Sequence, residues 1–368
     1  MRTRFSPGYA IAERPRGAWM THRHATIATS AVALAILTAI SVLVPVPYVL
    51  MSPGPAIDVL AGSGGNEVMR VTGTQTFPTS GRLDLTTVTA TDPKERLSVL
   101  SMLSGWLDPT VAVLPRSYLY PPTMTASQIE QQNAEEMTGS QNAAIVAGLT
   151  LADVPGARRA QVTAVVADSP ADGKLKAADF VLTVDGRAVA GPDDLRAAIR
   201  AHPPGDTIRL SVRRDDRQLI VPVVSRAASD DATKSQVGIE VGIGFDTPVS
   251  VEVRLPIAVG SASAGMMFAL SLYDKVTPGE LADGRSVAGT GTIDADGKVG
   301  PIIGIQQKLY GAKEGGASVF LAPAGNCEDA GRVQIDGLSV YRVSTLNDSV
   351  TVLRDLDAGR SPSVPRCG

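Results

Sequence analysis

Histidine is almost missing from this chain. His22, His24 and His202 are the only three in 368 residues, and none follows position 202. A serine nucleophile in the C-terminal third would have no imidazole nearby in sequence to take its proton, so its base would have to be a lysine or a carboxylate. Cysteine is as scarce. Cys327 and Cys367 stand alone, with no Cys-x-x-Cys pair and no metal-ligand cluster, so neither zinc nor any other cofactor is called for. Aromatic residues make up 4% of the chain, 34 Lys and Arg face 37 Asp and Glu, and no basic stripe interleaves with aromatics. That composition gives no support to a nucleic-acid partner. A Walker A loop is absent too. Five residues, not four, separate Gly291 from Gly297-Lys298, and Val299 stands where Ser or Thr is required.

Charge is also absent from Ala25 to Ile57, and here the absence is a signal. The strongest stretch, Ala25 to Val44, would span ~30 Å as a helix, the thickness of a bilayer's hydrocarbon core. Pro45 and Pro47 should stop it. Arg2, Arg4, Arg14, Arg16 and Arg23 precede it against a single Glu13. Basic flanks stay in the cytoplasm, so the pattern predicts a single-pass anchor with everything after residue 50 outside. A cleaved signal peptide is the competing reading, but the small-x-small site Ala31-Val-Ala33 falls inside the apolar run. An oxidising outer compartment would permit a Cys327–Cys367 bridge. Two unpaired thiols remain the alternative.

Ser263 opens an apolar run inside a small-residue stretch, Ala258-Val-Gly-Ser-Ala-Ser263-Ala-Gly265. A serine exposed at a helix start has the helix dipole to favour a developing oxyanion. The bland reading is a helix cap, for which serine is common. Lys308 shares the i, i+3, i+4, i+7 stripe of Ile305, Leu309 and Ala312, so it borders a buried helix face. The bland reading there is one more solvated lysine.

Four blocks in order resemble the proteolytic domain of Lon proteases. They are Ser263-Ala-Gly265, Ala288-Gly-Thr290-Gly-Thr-Ile293, Gly300-Pro-Ile-Ile-Gly304-Ile-Gln-Gln-Lys308-Leu and Pro323-Ala-Gly-Asn326. The resemblance implies that Ser263 is the nucleophile, that Lys308 is its base, and that Thr290 is the auxiliary residue holding the lysine amine. Two departures sit beside them: Ser261-Ala262 where the family usually has Gly-Pro, and Ile303-Gly304 where it has Gly-Gly. Ser80-Gly-Arg-Leu-Asp-Leu-Thr-Thr87 and Glu136-Met-Thr-Gly-Ser140-Gln-Asn resemble the opening strand and helix of the same domain. That would make the module between them an insertion.

The module itself reads as strand 160–166, Ser169-Pro-Ala171, strand and turn through Asp185-Gly186, a helix opened by Pro192, and alternating strands at 208–212 and 218–224. The order and the Asp-Phe-Val-Leu-x-Val-Asp-Gly pattern resemble a PDZ domain, whose members take an extended peptide as an added strand. Its carboxylate-binding loop would correspond to Gly148-Leu-Thr-Leu151. Ala178 stands where that pattern usually has glycine. Other expectations are local. Helices are expected over 93–107, 127–137 with Ser127 as cap, and 263–274, and Thr277-Pro-Gly-Glu280 reads as a helix start. Strands are expected at 237–243 and 248–253, a turn at Asp294-Ala-Asp-Gly297, and a returning strand through Ile303. Gly315-Gly316 should close the Lys308 helix.

The predicted architecture is an α/β (α+β) Lon-type proteolytic domain plus a mostly-β PDZ domain behind one transmembrane helix. The divisions are 1–24 basic cytoplasmic N-terminus, 25–50 anchor, 51–145 opening part of the Lon-type fold, 146–228 PDZ domain, 229–358 Lon-type domain and 359–368 loose tail. The predicted function is a membrane-anchored, ATP-independent serine endopeptidase using a Ser-Lys dyad. Its expected partners are protein or peptide substrates at the PDZ edge and membrane lipid at the anchor; homo-oligomerisation stays open. The alternative is an inactive PDZ scaffold at the membrane.

Overall fold

The computed structural model describes residues 18–62, 67–215, 217–255 and 262–368. A single helix, α1 (Ala18–Leu43), carries the uncharged run, and the 20 residues His24–Leu43 are long and apolar enough to cross a membrane. It ends where Pro45 and Pro47 remove backbone donors. Short β1 (Pro45–Val46) follows, then β2 (Tyr48–Asp58), whose Val49 is fully buried. Residues 45–50, expected as part of the anchor, are therefore already sheet. The basic segment 1–17 lies outside the described residues.

Next come β3 (Met69–Thr72), β4 (Arg82–Ala90), β5 (Leu97–Ser98), α2 (Val99–Leu107), β6 (Ala112–Pro115), the single turn α3 (Arg116–Leu119) and the long α4 (Ala126–Leu151). Helix α4 starts one residue before the expected cap and runs well past Met137. Thr125 caps it, because its hydroxyl accepts the Gln128 amide while the Gln128 side chain accepts the Thr125 amide, a capping box. Helix α2 starts late because residues 97–98 pair with β1.

The middle module contains β7 (Ala157–Val165), β8 (Phe180–Val184), β9 (Arg187–Ala188), α5 (Pro192–Arg200), β10 (Thr207–Arg214), β11 (Arg217–Val224), β12 (Arg226–Ala227), β13 (Ser235–Gln236) and β14 (Ile239–Asp246). Its sheet runs β11-β10-β8-β7-β14, with β9 beside β8. One expected loop is corrected here, and one strand reaches across the expected domain boundary. Strand β14, assigned by sequence to the protease part, pairs with β7 along its whole length, from Ala157↔Asp246 to Val165↔Ile239. Gly148–Leu151 is no loop. It forms the last turn of α4, whose Gly148 and Leu149 are buried; Gly148 packs on α6 (Gly265–Val276), where a side chain would meet the Ala269 carbonyl at 2.9 Å. Ala178 adopts φ +71°. The backbone thus keeps the left-handed conformation that glycine favours, at a cost of about 1 kcal/mol for a residue with a side chain.

After the module come β15 (Ser250–Val253), then α6, β16 (Ser286–Gly289), β17 (Thr292–Ile293), β18 (Val299–Gly300), α7 (Ile305–Glu314), β19 (Val319–Pro323), α8 (Cys327–Gly331), β20 (Ser339–Val343) and α9 (Leu346–Asp357). The central sheet has the order β20-β19-β16-β4-β2-β6. Strands β20, β19, β16 and β4 are parallel, β2 runs against β4, and β6 runs against β2. Strands from both sides of the middle module thus build one sheet. Residues alternate across it. Val319 and Leu321 join the core under α4, α6 and α9, while Phe320 and Ala322 join the one under α7 and α8.

Three further expectations fail locally. Thr277 does not start a helix. Its hydroxyl donates to the Tyr273 carbonyl at 2.7 Å and closes α6, and Glu280 instead accepts from Ser80. The returning strand is two residues long because Pro301 cannot donate to a ladder. The tail is not loose. Cys367 is disulfide-bonded to Cys327, its amide donates to the Val340 carbonyl, and Arg366 bridges to Tyr341. Closing a loop of this length stabilises the fold by about 4 kcal/mol in the chain-entropy picture.

Candidate active site

The parallel strand β16 ends at Gly289, and the chain turns out of the sheet at Thr290. Two helix starts converge on this end of the sheet. From one side comes the 3₁₀ turn Ala262–Ala264, which leads into α6 and carries Ser263. Its neighbour Gly265 allows the approach. A β-carbon there would meet Ser140 Oγ at 2.6 Å and Ile293 Cγ2 at 2.9 Å. From the other side comes α7, entered through Gly304 at φ +76°, a backbone conformation that a side-chain-bearing residue rarely adopts.

Lys308 sits one turn into α7. It is 2% exposed, against 8% for Ser263 and 1% for Thr290. Its Nζ donates to Ser263 Oγ at 2.8 Å and to Thr290 Oγ1 at 2.8 Å. The Thr290 hydroxyl in turn donates to the Ser263 carbonyl at 3.0 Å, which turns its oxygen lone pairs toward the lysine. The Gly291 amide donates to that same carbonyl at 2.8 Å. The three residues read from the sequence are therefore brought together, and the backbone of the serine is tied to the end of β16. Burial holds the Lys308 amine down to about 7 from its ordinary 10.5. A lysine near neutrality is half free of its proton at physiological pH, as a general base must be.

The site lies in the wall of an open cleft of about 730 Å³. Val88, Tyr118, Ile302 and Ile303 give the lining its apolar character, and Glu136 brings a carboxylate to its rim. Ile303, one of the two departures from the resemblance, is 47% exposed and lines this cleft. Ala262 lines the cleft as well, and Ser261 lies outside the described residues. No group of three or more His, Cys, Asp or Glu among the described residues could hold a metal ion.

Two buried residues support the site in ways the sequence did not assign. Ser140 on α4 donates to the Ala262 carbonyl at 2.8 Å, immediately before the serine. Asn326 clamps Ile302 at both ends of its peptide unit, accepting the Ile302 amide at 2.8 Å and donating to the Ile302 carbonyl at 2.9 Å. The following residue is the disulfide-bonded Cys327, so the bridge also fixes this clamp. Both residues lie in quoted sequence blocks, but hydrogen bonds to distant backbone carry no local signature.

Residues 132–224 match the PDZ domain family and residues 235–354 match the Lon protease (S16) C-terminal proteolytic domain family. No curated protein matches the chain. Among solved structures, the PDZ domain of the SdrC-like protein from Listeria monocytogenes is similar at 24% identity over 23% of this chain and 86% of that one, with a TM-score of 0.21. The corresponding domain from Listeria innocua is similar at 21% identity over 23% and 92%, with the same TM-score.

Proposed function

We propose that this chain, which carries a PDZ domain and a Lon-type proteolytic domain, is a membrane-anchored serine endopeptidase that works through a Ser263–Lys308 dyad. The observation that carries the reading is the buried Lys308 amine within 2.8 Å of Ser263 Oγ in the wall of a cleft. In its neutral form the amine accepts the Ser263 proton as Oγ attacks a peptide carbonyl. The tetrahedral oxyanion forms beside the N-terminus of α6, whose dipole favours it. Collapse breaks the C–N bond, and the lysine ammonium gives its proton to the leaving amine. Water then attacks the acyl-enzyme, again with Lys308 as base, releasing the acid and restoring Ser263. Thr290 orients the amine throughout.

The PDZ domain supports binding of protein or peptide. Strand β14 is one edge of its sheet, and an extended peptide would add to such an edge as a further strand. With no Walker A loop in these residues, substrates would arrive already unfolded or as loops and tails. Helix α1 and the basic residues before it support a single-pass topology with the N-terminus in the cytoplasm.

A serine-reactive fluorophosphonate probe tests the reading. The full chain should be labelled at Ser263 alone, and Lys308→Met should lose the label. Cleavage that persists without labelling of Ser263 would remove the dyad. An unlabelled, inactive chain that still binds peptide would leave the scaffold reading. A reporter active only in the cytoplasm, fused after residue 368, should be silent; a strong signal overturns the orientation.

A further inference from the structure

Helix α2 turns a row of large apolar side chains to solvent. Leu100 is 56% exposed, Leu103 43%, Trp106 77% and Leu107 83%. Leu100, Leu103 and Leu107 have helical 3–4 spacing and form one stripe, with Trp106 at its flank. The helix is held in this orientation from behind. Gly105 is its buried residue, pressed so close to β2 that a β-carbon would meet Leu50 Cδ2 at 2.5 Å. The nine residues contain no charge. A contiguous patch of this kind is uncommon on a soluble surface and marks a docking face.

Its position names the occupant. α1 ends at Leu43. Two residues later Pro45 pairs with Ser98, and α2 begins at the next residue, Val99, capped by the Ser98 hydroxyl. α2 also packs against α1. A nine-residue helix is ~13 Å long. The whole patch therefore lies close to where the chain would leave the hydrocarbon core, at the depth where tryptophan concentrates.

We propose that α2 is an interfacial helix that lies on the outer leaflet, burying Leu100, Leu103, Trp106 and Leu107 in the headgroup–acyl boundary and holding the protease body against the bilayer. The proposal rests on the reading of α1 as a membrane span.

The test uses the full chain reconstituted in phosphatidylcholine–phosphatidylglycerol vesicles. The sequence has two tryptophans, so Trp19→Phe leaves Trp106 as the one reporter. Flotation with the vesicles comes first, and failure to float overturns the span and this docking with it. In floating protein, Trp106 emission should be blue-shifted, shielded from aqueous acrylamide and quenched by lipids brominated high on the acyl chain. Leu103→Gln with Leu107→Gln should weaken the lipid quenching without changing flotation. Trp106 open to acrylamide and untouched by brominated lipid, in protein that floats, overturns the docking alone. Shielding from both quenchers, with crosslinks between copies, overturns it in favour of a second copy of this chain on the same face.

Discussion

The Lys308 amine lies 2.8 Å from the Ser263 hydroxyl oxygen, although 45 positions separate the two residues. Burial drives the amine toward neutrality, to about 7. Peptide cleavage should therefore rise as pH passes through about 7 and level off above it. A kcat/KM profile over pH 5 to 9 on a short fluorogenic peptide measures this, and a flat profile removes Lys308 as the base.

The same burial has a stability consequence. The folded chain holds the Lys308 proton less tightly than the unfolded chain, whose lysine keeps it to about 10.5. Folding must give that proton up at neutral pH, so the lysine destabilises the fold there, and the cost fades as pH rises toward 10.5. The difference amounts to about 4 kcal/mol at pH 7 as an upper figure. Lys308→Met should be inactive yet more stable than the parent in urea denaturation at pH 7, with the gap narrowing at pH 10. Lys308→Arg should be inactive and less stable, because a guanidinium keeps its charge in the buried site. A Met variant no more stable than the parent at pH 7 would mean that the amine is better solvated than its burial implies.

The dyad was legible because each member sits in a short block with its own local logic. Ser263 needed small neighbours, Lys308 needed the buried stripe of α7, and Thr290 needed the break after β16. The six-stranded sheet was half legible, since the block Ser80–Thr87 shows a strand but not its partner. β14 shows the limit most clearly. Ile239, Val241 and Ile243 alternate as any half-buried strand would, and nothing local says that β7 will take them up. The cap at Thr125 was missed because Ser127 with Glu130 offers the same pattern two residues later, and tertiary context chose the earlier hydroxyl.

Ser140 is a positioning residue on this structure. Its buried hydroxyl holds the Ala262 carbonyl at 2.8 Å and so fixes the turn from which Ser263 projects. Removing a buried hydrogen bond costs about 1–1.5 kcal/mol, or roughly tenfold in rate if the loss falls on the transition state. Ser140→Ala should lower kcat by about that factor with KM and the pH profile unchanged. A rise in KM at unchanged kcat would place Ser140 in substrate binding instead.

Asp274 on α6 is fully buried. Its Oδ1 accepts the Leu281 amide at 2.9 Å, and its Oδ2 has no partner among the described residues. Burial raises its carboxyl to about 6, well above 3.8. The folded state thus holds this proton more tightly than the unfolded state, so stability is gained as pH falls from about 6 toward 4 and lost as pH rises through 6. Asp274→Asn keeps the acceptor for Leu281 and removes the charge. It should be more stable by up to about 3 kcal/mol at pH 7 and indistinguishable near pH 4. Equal stabilities at both pH values would mean that the charge is paid for locally, by an ordered water on Oδ2.

The ends of the PDZ module meet. Ala157 and Arg158 at the start of β7 pair with Asp246 and Phe245 at the end of β14. A cut after Arg226, where the sequence pattern ends, would strand β14 without β7. The deletion to make is Arg159–Gly244, joining Arg158 to Phe245 through an Asn-Gly turn, which suits a two-residue antiparallel hairpin. It keeps the Phe245 contact with the protease core and the 2.7 Å ion pair from Arg158 to Asp296 on the β17–β18 turn. The shortened protein should fold, since the remaining strands already make the central sheet. A peptide held by the module would meet Ser263 at an effective concentration approaching millimolar where the geometry permits. Short peptides gain little from a second site, so the deletion should slow cleavage of protein substrates far more than of short peptides. Equal loss of both in a folded variant would argue for a structural role, and faster peptide cleavage would argue that the module shields the cleft.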